Sequence, residues 1–129
     1  MRKSEIMETL VSKVCEVCEI SSESFFGSTK MQMVVDARIL ASQYLRRIGF
    51  SNDEISLMFE RHRKKDLSYI PSTVELKKKA KNVQRLFDSY SQRCMESYAF
   101  CIMSNDIKQF CREKYSELHN PWMKCLPSK

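Results

Sequence analysis

Six cysteines and two histidines are the residues of this chain with the strongest claim to site chemistry, and their spacing decides what that chemistry would be. Cys15-x-x-Cys18 has the spacing of half a zinc site, yet no second pair stands near it, and His62 and His119 are both distant in sequence. On a helix, Cys15 and Cys18 fall on the same apolar stripe as Leu10, Val11 and Val14. Cys94 and Cys101 continue a seam with Val83, Phe87, Tyr90 and Tyr98. Free cysteine packs as a small hydrophobe, so Cys15, Cys18, Cys94 and Cys101 are expected to be buried thiols, with no metal and no cofactor. The N-terminal MRKSEIMETL lacks the apolar run of a signal peptide, which sets the expectation of a cytoplasmic protein without structural disulfides. Two glycines in the whole chain leave no phosphate-cradling loop, so no nucleotide is expected. No Ser/His/Asp or His/Glu constellation stands out either, and the chain reads as a non-enzyme.

Charge is the second source of chemistry, and it is unevenly spread. The chain carries a formal net charge of +6. Residues 61–85 alone hold nine basic residues (Arg61, Arg63, Lys64, Lys65, Lys77, Lys78, Lys79, Lys81 and Arg85) against Asp66 and Glu75, a local +7. The rest of the chain therefore sums to −1. Segregation of this kind suggests a polyanionic partner more than general solubility, with a solvated helix face as the plainer alternative. With double-stranded DNA as the partner, Arg61, Arg63, Lys64 and Lys65 would approach phosphates or base edges. His62, among four basic neighbours, suits a phosphate or groove contact. Ser68, Tyr69, Ser72 and Thr73 would meet bases or phosphates from a helix N-terminus, and Lys77 and Lys78 would add backbone contacts. The alternatives are a core position for Tyr69 and a capping role alone for Ser72.

The elements that must position these residues are helical. Apolar content of 43% with three prolines allows a core built from long helices, and no apolar run is long enough to cross a membrane. A first helix is expected over about residues 4–19, capped by Ser4, with Ile6, Leu10, Val14 and Val17/Cys18 on one face. Ser21/Ser22 start a short helix that ends at Phe25, Phe26 and Gly27, the two aromatics plugging a core. A long helix over about 30–48 buries Val34, Ala37, Ala41, Tyr44/Leu45 and Ile48, with Arg38 and Gln43 off that stripe. Gly49 stops it. Ser51-Asn52-Asp53-Glu54 is a capping box opening a two-turn helix with Ile55, Met58 and Phe59 inward. Ser72 to Glu75 is a second such pattern, opening a helix expected to continue through residue 103. Ser104-Asn105-Asp106 then caps a last helix over about 106–118, and Trp122 docks on the core. The whole reads as one all-α domain, 1–129, with a core over 1–92 and a helical extension over 93–129.

In order and spacing, Val14-Cys15-Glu16, Ile20 with Phe25-Phe26, Ala37-Arg38-Ile39-Leu40-Ala41 with Tyr44-Leu45, and Asp53-Glu54-Ile55-Ser56 with Phe59 resemble a known module. It is the C-terminal DNA-binding domain of the bacterial replication initiator DnaA, a helical domain with a Trp-repressor-like helix-turn-helix. The stretch 104–118 is similar to that family's closing helix. The resemblance implies sequence-specific DNA binding in replication initiation or transcriptional regulation, at the nucleoid, by a stand-alone helix-turn-helix. The family's arginine-rich loop before the long helix reads Ser28-Thr29-Lys30-Met31-Gln32 here, so Lys30 would reach the neighbouring groove. For the family's base-reading signature two registers stand open, Lys65 to Ile70 or Ser72 to Val74. The rival expectation is a helical adaptor that does not bind DNA, pairing two copies through the seam of a long 72–103 helix.

Overall fold

In the computed structural model, which describes residues 2–115, the chain forms seven helices and no strand among the described residues. These are α1 (Lys3–Cys18), α2 (Ser22–Phe26), α3 (Gln32–Ile48), α4 (Asn52–Lys64), α5 (Thr73–Asp88), α6 (Tyr90–Glu96) and α7 (Tyr98–Tyr115). The all-α class is as expected. Leu118, His119, Trp122 and Cys125 lie outside the described residues.

The centre of the molecule is α3, on which every other helix packs. Val34, Ala37, Ile39, Leu40, Ala41, Tyr44, Leu45 and Ile48 are all buried, and so are the polar Asp36, Ser42 and Gln43. Gln43 therefore belongs to the interior, against the expectation that it lay off the buried stripe. A helix apolar on most of its circumference has to be enclosed, and each large side chain taken out of water contributes about 1.5–3 kcal/mol. The stripe of α1 is placed as expected, with Ile6, Leu10, Val14, Cys15 and Cys18 in the same core. Its start differs: Arg2, not Ser4, is the N-cap, and the Glu5 carboxylate accepts from the Arg2 amide at 3.0 Å. Gly49 ends α3 at φ +126°, a conformation that strains any residue with a Cβ. The Phe50 amide then donates to the Leu45 carbonyl at 3.0 Å and its ring folds into the core.

At five residues, α2 is too short to hold itself together. Ser21 caps it, its hydroxyl accepting from the Ser24 amide at 3.1 Å. Arg38 of α3 does the rest, donating to the carbonyls of Ser24 (3.0 Å), Phe25 (2.9 Å), Gly27 (2.9 Å) and Thr29 (2.8 Å). One guanidinium thus satisfies the carbonyls that a helix end leaves without intrahelical partners. Burial, and then the nearby Arg63 charge, lower its pKa below the ordinary guanidinium value.

The single helix expected over 72–103 is three helices instead. At Ser89 the side-chain hydroxyl donates to the Arg85 carbonyl at 2.8 Å, a back-bond of the kind that bends helices, and α6 sets off from there. At Ser97 the backbone turns extended (φ −140°, ψ 116°), and its hydroxyl accepts from the Phe100 amide at 3.1 Å. Ser97 therefore caps α7. The break expected at Ser104-Asn105-Asp106 falls inside α7: Ser104 is buried and bonds to Tyr44 Oη (2.9 Å) and to Tyr90 Oη. Arg93 of α6 grips Asp36 of α3 with two bonds of 2.8 Å, a geometry that fixes one helix against the other. Finally α7 lays Phe100, Ile107, Cys111 and Tyr115 into the same core as α1 and α3.

The two adjacent phenylalanines of α2 do not share one environment. Phe25 is fully buried and stacks on Phe59 of α4, whereas Phe26 is half-buried at the edge of the core. Truncating Phe25 to alanine should cost about 3–5 kcal/mol, and truncating Phe26 about half as much or less. Denaturant unfolding of the two variants checks the order, and equal losses would contradict these burials.

Candidate nucleic-acid interface

The basic segment begins inside α4, so the site is built from that helix upward. Ser51 accepts from the Glu54 amide at 3.1 Å and Glu54 accepts from the Ser51 amide at 2.9 Å, the expected capping box. That cap sets the phase which buries Ile55, Met58 and Phe59. The helix does not stop after two turns, however. It runs 13 residues to Lys64, and Lys65 closes it in the left-handed conformation at φ 55°. Arg61, His62, Arg63 and Lys64 therefore form its last turn, where cations meet the negative end of the helix dipole. Against expectation, they end α4 and do not open α5, and the stretch past Phe59 is anchored by the Glu60–Arg63 pair and the stack of His62 on Phe26.

Several of these side chains are committed to internal contacts. Arg61 Nε donates to the Tyr69 carbonyl at 2.9 Å. His62 stacks flat on Phe26, with ring centroids 4.1 Å apart and planes at 5°. Arg63 pairs with Glu60 at 2.8 Å and donates weakly to the Phe26 carbonyl at 3.4 Å. Lys64 lies over the Tyr69 ring at 4.8 Å. The Glu60 carboxylate, only 5% exposed, also receives Lys79 of α5 at 3.8 Å. Buried charge is tolerated there because two cations neutralise it from two helices.

Between α4 and α5 the connection spans residues 65–72, longer than the three- or four-residue turn of a tight helix-turn-helix. It is braced throughout. Asp66 accepts from the Ser68 hydroxyl (2.7 Å) and amide (3.0 Å), bonds that lower its pKa below the usual carboxylate value. Tyr69 Oη donates to Glu75 at 2.8 Å, so Tyr69 ties the connection to α5 and is not a core residue. Ser72 caps α5, accepting from the Glu75 amide at 3.1 Å. The second capping box is half-formed, because the Glu75 carboxylate goes to Tyr69. Of the two registers, Ser72 to Val74 falls at the start of α5 and Lys65 to Ile70 in the connection.

Packing of α5 on α4 turns Val83 inward and leaves Thr73, Val74, Lys77, Lys78, Lys81 and Arg85 on its outer side. These recur at spacings of three and four residues, so they form one row. The structure thus puts Thr73, Lys77 and Lys78 on one side of α5, leaves Lys65 exposed at the end of α4, and ties down Arg61, His62, Arg63, Lys64, Ser68, Tyr69 and Ser72. Lys30, exposed, stands apart on the loop between α2 and α3. Lys81 and Arg85 were not among the expected contacts, although their spacing from Lys77 and Lys78 marks them. Against protein-family models, curated proteins and solved structures, the chain finds no match. The interface must be judged on its own geometry.

An open groove of about 920 Å³ runs beside this corner, with Met7, Val11, Phe26, Leu57 and Met58 among its lining residues. No described helix is long and apolar enough to cross a membrane. Among the described residues no cluster of metal-ligating side chains forms. Cys15, Cys18 and Cys111 are buried, while Cys94 and Cys101, expected to be buried as well, are half-buried. Burial pushes the Cys18 and Cys111 thiols from 9.0 up to about 12. Thiols raised in the folded state keep their full contribution to stability below pH 9 and lose it as pH climbs toward 12, because the unfolded chain ionises first. Alkaline titration should show stability falling across that window, by less in a Cys18→Ala, Cys111→Ala variant. An identical profile for wild type and variant would show that these thiols ionise alike in both states.

Proposed function

We propose that this protein binds double-stranded DNA through the outer face of α5 and the α4–α5 corner, as a sequence-specific module with a role in replication initiation or transcriptional regulation. The observation that carries the reading is the row Lys77, Lys78, Lys81 and Arg85 on the outer side of α5, with Lys65 exposed at the end of α4. None of the five lies within salt-bridge distance of a carboxylate among the described residues, whereas the inward cations Arg63 and Lys79 share Glu60. Cations left in water along one helix suit a phosphate backbone, where each neutralised phosphate releases a counterion. The braced connection supports the same reading, since it holds the start of α5 in one geometry without a partner. The likeness of residues 11–59 to the DnaA C-terminal domain supports the same reading.

A second reading rests on a different face. Met95 and Tyr98, 82% and 81% exposed, stand with Ile102 at the α6–α7 corner and favour a helical adaptor that pairs two copies. The seam expected to mediate that pairing is not the surface for it. Val83 is buried, Tyr90 and Cys94 pack on the core, and of the seam's residues Tyr98 faces outward.

Salt titration separates the two readings. With about five phosphates contacted, log affinity for a duplex should fall with log salt at a slope near −4.5. Replacing Lys77, Lys78 and Lys81 by alanine should flatten the slope by about 2.7 and weaken all sequences together. Absence of any duplex shift at low salt, with a concentration-dependent dimer in sedimentation, would replace the DNA reading by the adaptor.

A further inference from the structure

The residues that enter α5 are of an unusual kind for a cationic surface. Ile70 and Val74 are 80% and 78% exposed, and they flank Ser72 and Thr73 at the point where the connection becomes helix. Neither is loose. The backbone at Tyr69 is held by Arg61, the Tyr69 ring by Glu75, and the first turn of α5 by the Ser72 cap. Two branched apolar side chains are thus presented to water from fixed positions, beside Lys77 and Lys78. A backbone held in place before binding loses little entropy when a partner covers it.

Arginine, asparagine and glutamine are missing from the same place, where the polar groups are the lysines and the Ser72 and Thr73 hydroxyls. On the first two turns of α5 the outward residues are Thr73, Val74, Lys77 and Lys78, with no arginine, asparagine or glutamine among them. Arg61 and Arg63 are bonded inward, and Arg85 stands two turns further along. Bidentate recognition of guanine by arginine, or of adenine by an amide, therefore has no donor at the leading end of the helix. Beside those polar groups Ile70 and Val74 offer apolar contact, and in the major groove the apolar feature of a base pair is the 5-methyl group of thymine.

We infer that Ile70 and Val74 read thymine 5-methyl groups, which makes A·T-containing duplexes the preferred targets and leaves the lysine row to the flanking phosphates. This inference rests on the duplex-DNA reading above. The decisive experiment measures binding of the full chain to a duplex of alternating dA and dT, to the same duplex with dU in place of every dT, and to a G·C duplex of equal length. Only the methyl groups differ between the first two. Covering one methyl is worth about a fourfold change in affinity, so loss of two should weaken wild-type binding by about tenfold or more, with the salt slope unchanged. The Ile70→Ala, Val74→Ala double variant should bind the dT and dU duplexes alike. Both positions are solvent-exposed, so that variant should fold as the wild type does, which circular dichroism checks. Equal wild-type affinity for the dT and dU duplexes overturns the inference while leaving DNA binding intact. A double variant that keeps the dT preference overturns it too. No shift of any duplex at low salt overturns both readings together.

Discussion

A single guanidinium, that of Arg38, sets the position of much of what surrounds it. Five residues of helix have no independent stability, and α2 stays folded because its carbonyls end on a rigid, planar donor rooted in the central helix. With α2 fixed, Phe25 enters the core and Phe26 stands ready for His62, which in turn registers the last turn of α4. The direction in which α4 delivers the chain to the connection is therefore traceable to a residue of α3. A lysine in that place would gather its three donors on one nitrogen and could not reproduce four bonds spread over a planar fork.

Much of the fold is legible in the residues, and the illegible parts have physical reasons. Gly49 and the Ser51 capping box act through local backbone chemistry, so their effects follow from two or three neighbouring residues. The stripe of α1 follows from periodicity alone, whereas α3 also buries Asp36, Ser42 and Gln43 off its apolar stripe. By contrast, the serines at 89, 97 and 104 look alike in sequence and do three different things: one bends a helix, one caps a helix, and one fills a polar hole between two tyrosines. Ser89 and Ser97 act on backbone groups four and three residues away, whereas the role of Ser104 is decided by Tyr44, 60 residues away. Arg38 is the same case, since an arginine off the apolar stripe gives no sign of the carbonyls it will find.

The candidate site was legible in composition and less so in detail. Counting charge located the segment but could not say which cations would be spent inside it. Glu60 and the Tyr69 carbonyl draw Arg63, Lys79 and Arg61 inward, and what remains outside is a row of lysines ending in Arg85. The outer row is a helical-spacing pattern along α5, which begins at Thr73 and packs through Val83. A +7 segment is thus two populations, one holding α4, α5 and their connection together and the other facing water.

The placement of α7 has a consequence for how the chain comes to be folded in time. Tyr115, fully buried, donates to the Ile6 carbonyl at 3.4 Å across 109 residues, and Phe100 and Ile107 fill the core that α1 and α3 begin. Synthesis delivers α1 first and α7 last. The apolar sides of α1 and α3 that await α7 must therefore remain open to solvent, or to a chaperone, while α4, α5 and α6 emerge. The basic face of α5 leaves the ribosome before the core behind it can close, so its cations are made ahead of the finished scaffold.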